Sequence, residues 1–69
     1  MSTIEFDKRI YKLNAIKSAI KDYREFADFQ FRVEGDQIIV EIQNIAYEPV
    51  PEFLDEFGNY VIHKMSARA

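Results

Sequence analysis

The sequence predicts an α+β fold in the order β-α-β-β-α, with a three-stranded, mostly antiparallel sheet and two helices on one of its faces. Three observations predict this fold. Apolar and polar residues alternate along two arms around one glycine, two stretches repeat apolar residues every three or four positions, and a shorter alternating stretch precedes them. With 69 residues, the chain is predicted to be a single domain, residues 1–69.

The strongest signal is a β-hairpin from Phe29 to Ile42 that turns at Gly35-Asp36. Alternation along both arms predicts that one face of the hairpin is buried and that the other is exposed to solvent. Glycine tolerates the positive φ that a two-residue turn requires. Ile39 falls on the predicted solvent-exposed face of this hairpin. The residues of the first arm that we expect in the core are Phe29, Phe31 and Val33.

The stretch before the hairpin predicts a strand over about Thr3–Tyr11 and an amphipathic helix over Leu13–Glu25. Asn14 belongs to the residue types that cap helix N-termini, and we expect it to cap this helix. Basic residues lie on a different face of the helix from its apolar stripe. That stripe consists of Leu13, Ile16, Ala19, Ile20, Tyr23 and Ala27.

A second helix is predicted after the hairpin, from Pro51 to Ser66. Pro49 and Pro51 mark a connection, because proline interrupts helix interiors and strand pairing, yet proline suits the first turn of a helix. Gly58 lies inside this helix and costs about 1 kcal/mol relative to alanine. We therefore expect another backbone to approach closely there. The apolar stripe consists of Phe53, Leu54, Phe57, Val61 and Met65.

The predicted architecture resembles a ferredoxin-like fold that lacks its last strand, which leaves one sheet edge open. Unblocked sheet edges pair with other chains. A chain this short gains only a few kcal/mol from one core, and the absence of cysteine excludes disulfides and thiolate metal sites. We therefore expect a homodimer or a bound peptide.

Charge is unevenly distributed along the chain, whose net charge is -3. Residues 1–25 carry six basic and four acidic side chains, whereas residues 26–69 carry three basic and eight acidic ones. An acidic domain is poorly suited to neutralising phosphates, so we expect no nucleic-acid partner. No apolar run approaches the roughly 20 residues that cross a bilayer, and the N-terminus lacks a signal-peptide pattern. We therefore expect no membrane partner and a cytoplasmic location.

Side chains that carry catalysis are scarce. His63 is the only histidine, and two glycines are too few for a glycine-rich phosphate-binding motif. We expect no catalytic residue, no cofactor and no bound metal. One alternative stays open, namely a small enzyme or metal-dependent small-molecule binder that uses the acidic turn from Glu52 to Glu56, or His63. The acidic residues are equally explained by the positive end of the helix dipole.

Two sets of residues are candidates for partner contact. The basic set lies on the first helix and is either a contact for an acidic partner or the solvated face of an amphipathic helix. The other set lies off the main apolar stripes and indicates either an interface or a helix buried on two sides within the monomer. The candidate acidic-partner contacts are Lys17, Lys21 and Arg24. The candidate interface residues are Ile39, Gly58, Tyr60 and Ile62.

A family resemblance covers about Ile10 to Met65. The residues that carry it are Tyr11-Lys12-Leu13-Asn14-Ala15-Ile16-Lys17-Ser18-Ala19-Ile20, then Tyr23, Phe26 and Asp28, the hairpin, and Glu56-Phe57-Gly58-Asn59. This pattern resembles the HxsD family of small His-Xaa-Ser system proteins. The chain departs from the family after Asn59, where Tyr60 and later His63-Lys64 replace an acidic residue and a polar Asp-Gln run.

What the resemblance implies is an accessory role. Members of that family are encoded beside radical-SAM enzymes associated with peptide modification, so the likeness implies binding to a peptide or to a modifying enzyme. This implication rests on the genes that neighbour the family and not on a binding site in the sequence. The leading hypothesis is therefore a non-enzymatic interaction domain.

Overall fold

The fold is described by a computed structural model that covers residues 2–66. Its elements are β1 (Ser2–Asp7), α1 (Leu13–Tyr23), β2 (Asp28–Glu34), β3 (Gln37–Gln43) and α2 (Val50–Ser66). The predicted order β-α-β-β-α is confirmed. Over these residues, neither helix combines the length and the apolar character needed to cross a bilayer.

The three strands form one sheet in the order β1-β3-β2, and β3 is antiparallel to both neighbours. The register places Val40 opposite Ile4 on one side and opposite Phe31 on the other. β1, α1 and β2 therefore form a split βαβ unit with β3 between its strands, as in an incomplete ferredoxin-like fold. Among residues 2–66, no strand pairs with the outer edge of β1 or of β2.

The hairpin turn lies where it was predicted. Gly35 has a φ of +59°, and Asp36 is not among the positive-φ residues, a combination that belongs to a type II′ turn with glycine first. The Asp36 carbonyl accepts a hydrogen bond of 2.7 Å from the backbone N–H of Lys8. The turn is thus also attached to the residue that follows β1.

β1 is shorter than predicted, because Asp7 begins a turn. The Asp7 carbonyl accepts hydrogen bonds from the backbone N–H groups of Ile10 and Tyr11 at 2.9 and 2.8 Å. α1 begins at Leu13, as predicted, but Asn14 does not cap it. The N-cap position is Lys12, whose side chain makes no capping hydrogen bond.

The core lies between the sheet and both helices, which cover the same face of the sheet. Phe57 occupies its centre, with its ring centroid 5.1 Å from that of Phe29 and 5.4 Å from that of Tyr23. Its side chain is fully buried. The other buried members are Phe6, Ile16, Ala19, Ile20, Ala27, Ile38, Val40, Ile42, Phe53 and Val61.

The prediction that Phe31 and Val33 are core residues was wrong. Phe31 and Val33 lie on the helix side of the sheet, but each remains 41% exposed. β2 is an edge strand, so no further strand of residues 2–66 packs beyond it. The helices cover the central strand β3 fully and these two residues of β2 only in part. The core prediction is correct only for Phe29, which packs against the core from a half-buried position.

Ile39 lies on the face away from the helices, as expected, but it is only 8% exposed. It is on the central strand, directly between Glu5 of β1 and Arg32 of β2. The Arg32 guanidinium bridges Glu34 and Glu41 at 2.5 and 2.6 Å, so its long side chain is held across this face. Such stems cover apolar neighbours, and the expected exposure of Ile39 is therefore wrong.

Candidate functional site

The outer edge of β2 presents backbone hydrogen-bonding groups. Glu34 and Gln37 flank the two-residue turn and pair with each other, and hydrogen-bonded pairs alternate along an antiparallel ladder. Arg32 therefore bonds inward to β3, whereas the N–H and C=O groups of Phe31 and Val33 point outward. The edge offers an incoming strand both donors and acceptors.

A groove runs between this edge and α1. Its volume is about 510 Å³, and we call it the basic groove. Phe31 forms one wall, and Ile20 contributes at the α1 side. Three cations line the groove, so an apolar surface and positive charge occur together. The lining residues are Lys17, Ser18, Ile20, Lys21, Arg24 and Phe31.

The positive charge of the basic groove is not neutralised by ion pairs within the described chain. Lys17, Lys21 and Arg24 are four and three residues apart, so they follow one face of α1. The ion pairs formed by residues 2–66 involve Arg9, Arg32 and Lys64 instead. The fold thus places the predicted basic residues beside Phe31. The sequence pattern had predicted Phe31 to be a core residue.

A second groove, the α2 groove, lies between α2 and the edge of β1. Its volume is about 320 Å³, and it is lined by Ile4, Leu54, Gly58 and Ile62, among others. Ile62 is 46% exposed. A Cβ atom added to Gly58 would meet nothing within 4 Å. Within residues 2–66, the predicted close approach to Gly58 therefore does not occur.

Tyr60 lies on a different side of α2 from Ile62. Its hydroxyl donates a hydrogen bond of 2.5 Å to Asp22 on α1, and the Lys64 ammonium lies 2.9 Å from the same carboxylate oxygen. These two donors hold the pKa of Asp22 below its usual value, the Tyr60 hydroxyl contributing most. Tyr60 thus joins the two helices, and it does not form one surface with Gly58 and Ile62.

The acidic turn of α2 does not converge on one point. Asp55 lines the α2 groove, whereas Glu56 lines a pocket between α2 and the end of α1. His63 stacks on Tyr60, with 6.2 Å between ring centroids. In the part of the chain from residue 2 to residue 66, no three acidic or histidine side chains are grouped so that they could hold a metal ion.

Comparison with protein-family models, with curated proteins and with solved structures found no match to this chain. The candidate site is therefore defined by its own geometry. Within residues 2–66, it is an unpaired edge of β2 next to the basic groove, whose three cations form no ion pair with the described side chains. The α2 groove lies at the other edge of the sheet, beside β1.

Proposed function

We propose that this chain is a non-enzymatic interaction domain that binds an extended, acidic polypeptide segment along β2. The observation that carries the proposal is the coincidence of the outward backbone groups of β2 with the basic groove. A strand added to a sheet edge gains affinity from main-chain hydrogen bonds and specificity from pockets for alternate side chains. Both features are present at this edge.

The bound segment would alternate apolar and acidic residues. Its acidic side chains would point to the helix side of the sheet, where their methylene groups cover Phe31 and Val33 and their carboxylates reach Lys17 and Lys21 across the basic groove. Its apolar side chains would point to the opposite face of the sheet. Alternation follows from the strand itself, because successive side chains point to opposite faces of a sheet.

The positive charge favours a foreign segment over a second copy at this edge. Pairing β2 with β2 of another copy about a twofold axis would bring two basic grooves together, and like charges across an interface are unfavourable. An acidic segment instead supplies the missing countercharge. The HxsD-like pattern supports the same choice, and we extend the proposal to a cytoplasmic accessory role in which the segment belongs to a modified peptide or to its modifying enzyme.

Fluorescence anisotropy with two labelled peptides tests this proposal. An eight-residue peptide that alternates glutamate with valine should bind, and one that alternates lysine with valine should not. Added salt should weaken the binding, because the exposed charges are screened. Equal binding of both peptides, or binding of neither, would contradict the proposal.

A second candidate function, homodimerisation, is favoured by the α2 groove. Gly58 costs about 1 kcal/mol relative to alanine inside a helix, and nothing in the described chain needs the space that it leaves. Ile62 lies exposed beside it. A second copy that packs its own α2 across Gly58 would account for both residues. This surface is separate from β2, so a dimer would leave the basic groove open.

Gly58→Ala distinguishes the two possibilities for this surface. In a monomer we expect the free energy of unfolding to increase by about 1 kcal/mol, because alanine favours the helix and its Cβ has room. In a dimer we expect weaker association, measured as the solution mass at increasing concentration. Asn59→Ala is the matched control, since Asn59 lines the same groove but already has a Cβ. A wild-type chain that stays monomeric at high concentration would rule out the dimer.

A further inference from the structure

A small aromatic pocket lies where the end of α1 meets the first half of α2. It has a volume of about 180 Å³ and is more enclosed than either groove. This is below the roughly 300–1,000 Å³ of sites for whole drug-sized molecules, so it suits one chemical group. Its lining consists of four aromatic residues and one carboxylate, namely Tyr23, Phe26, Tyr47, Phe53 and Glu56.

The fold holds the aromatic rings at angles to one another. Phe53 is only 1% exposed and forms the floor. The Tyr23 ring lies 5.7 Å from that of Phe53 with an interplanar angle of 56°, and Tyr47 lies 5.5 Å from Phe53 at 44°. Phe26 stands edge-on to Tyr23, 5.9 Å away at 71°. The pocket is therefore a cage of ring faces and edges rather than a flat stack.

Two backbone hydrogen bonds position the outer walls of this cage. The N–H of Phe26 donates to the Tyr23 carbonyl at 2.9 Å, which turns the chain directly after α1. The N–H of Ala46 donates to the Phe26 carbonyl at 2.8 Å, and this places Tyr47 beside the same turn. These hydrogen bonds tie the turn after α1, which carries Phe26, to the connection between β3 and α2, which carries Tyr47.

The one charged side chain among the five lining residues is acidic. Aromatic faces carry partial negative charge, and Glu56 adds a carboxylate at the wall. The proximity of Glu56 is the main cause that raises the pKa of Tyr47 above its usual value. The one cation–π pair among residues 2–66 is Lys64 over Tyr60, at 5.4 Å, so no cation of the described chain occupies the cage.

We infer that this cage binds a methylated ammonium group. Such cations are attracted to several aromatic faces at once, and a nearby carboxylate supplies countercharge. Two sources share this chemistry, a free quaternary ammonium compound and a methylated lysine side chain of a polypeptide. The inference is independent of the proposed function, because the cage shares no lining residue with the basic groove.

Titration by NMR with choline tests the inference, with 3,3-dimethylbutanol as the neutral compound of the same shape. Choline should shift the ring resonances of Tyr23 and Tyr47, and dimethylbutanol should bind at least about threefold more weakly. A tetrapeptide containing trimethyllysine, compared with the same peptide containing lysine, separates the two sources. Tighter binding of the trimethyllysine peptide than of choline identifies a side chain, and the reverse identifies a free compound.

Glu56→Gln and Asp55→Asn provide a matched pair of variants. Both remove one carboxylate from neighbouring exposed positions of α2, so both should fold. Glu56→Gln should weaken choline binding about threefold, whereas Asp55→Asn should leave it unchanged, since Asp55 lines the α2 groove. Equal binding of choline and dimethylbutanol, no binding of either ammonium probe, or equal effects of the two variants would overturn the inference.

Discussion

Phe57→Ala is expected to leave the chain unfolded at room temperature. Phe57 has no exposed surface and packs against the rings of Phe6, Tyr23 and Phe29. Truncating a buried phenylalanine costs about 3–5 kcal/mol, because the apolar contacts are lost and a cavity remains. A single core in a chain of this size rarely supplies more than about 3–5 kcal/mol. The cost of the substitution therefore matches the whole stability.

The matched control for this prediction is Phe31→Ala. It removes the same side chain from a partly covered position on the edge strand β2, where Phe31 is 41% exposed, so we expect the unfolding free energy to fall by only about 1–2 kcal/mol. Circular dichroism and the dispersion of amide proton resonances measure both variants. A folded Phe57→Ala variant whose melting temperature is close to that of the wild type would show that the core is not centred on this ring.

The double reversal Lys17→Glu with Lys21→Glu is expected to abolish most of the affinity for the glutamate–valine peptide. An exposed ion pair contributes about 0.2–1 kcal/mol, and a reversal replaces attraction by repulsion of similar size, so two reversals weaken binding by about tenfold or more. Both lysines are exposed and form no ion pair within residues 2–66. We therefore expect the circular dichroism spectrum to stay unchanged.

Lys8→Glu with Lys12→Glu is the control for net charge. It changes the total charge by the same amount, at two exposed positions outside the basic groove. Affinity measured by anisotropy should fall much less in this variant. If both double variants lose the same affinity, the effect comes from overall charge and the basic groove is not the contact site.

The strand pattern could be predicted from sequence because alternation depends on local geometry. The arms of the hairpin, its turn at Gly35 and the start of α1 at Leu13 all follow from short-range rules, and the structure agrees with them. The same rules assign a residue to a face of the sheet. They do not say whether another element covers that face.

The incorrect burial predictions for Phe31 and Ile39 arise because burial depends on which other elements pack against each residue. Phe31 has the pattern of a core residue but lies on an edge strand, where α1 covers it only in part. Ile39 has the pattern of a solvent-exposed residue but lies on the central strand, between Glu5 and Arg32 of the two neighbouring strands, and is 8% exposed. Strand order decides both cases, and it depends on contacts between residues far apart in the chain.

The basic set of α1 was recognisable from spacing alone, but its apolar wall was not. Lys17 and Lys21 are one helical turn apart, whereas Phe31 joins them only because β2 is the neighbouring edge strand. The aromatic cage had no signal in the sequence. Tyr23, Tyr47 and Glu56 come from a helix end, a connection and a second helix, so no periodicity links them.

An NMR titration tests most directly whether β2 binds an extended acidic segment. The isotope-labelled chain is titrated with the glutamate–valine peptide, and the amide resonances of the chain are followed. We predict the largest shift changes at Phe31 and Val33 of β2 and at Lys21 of α1, with Ile62 in the α2 groove unaffected. Changes confined to the α2 groove, or no changes at peptide concentrations well above those of the protein, would contradict the claim.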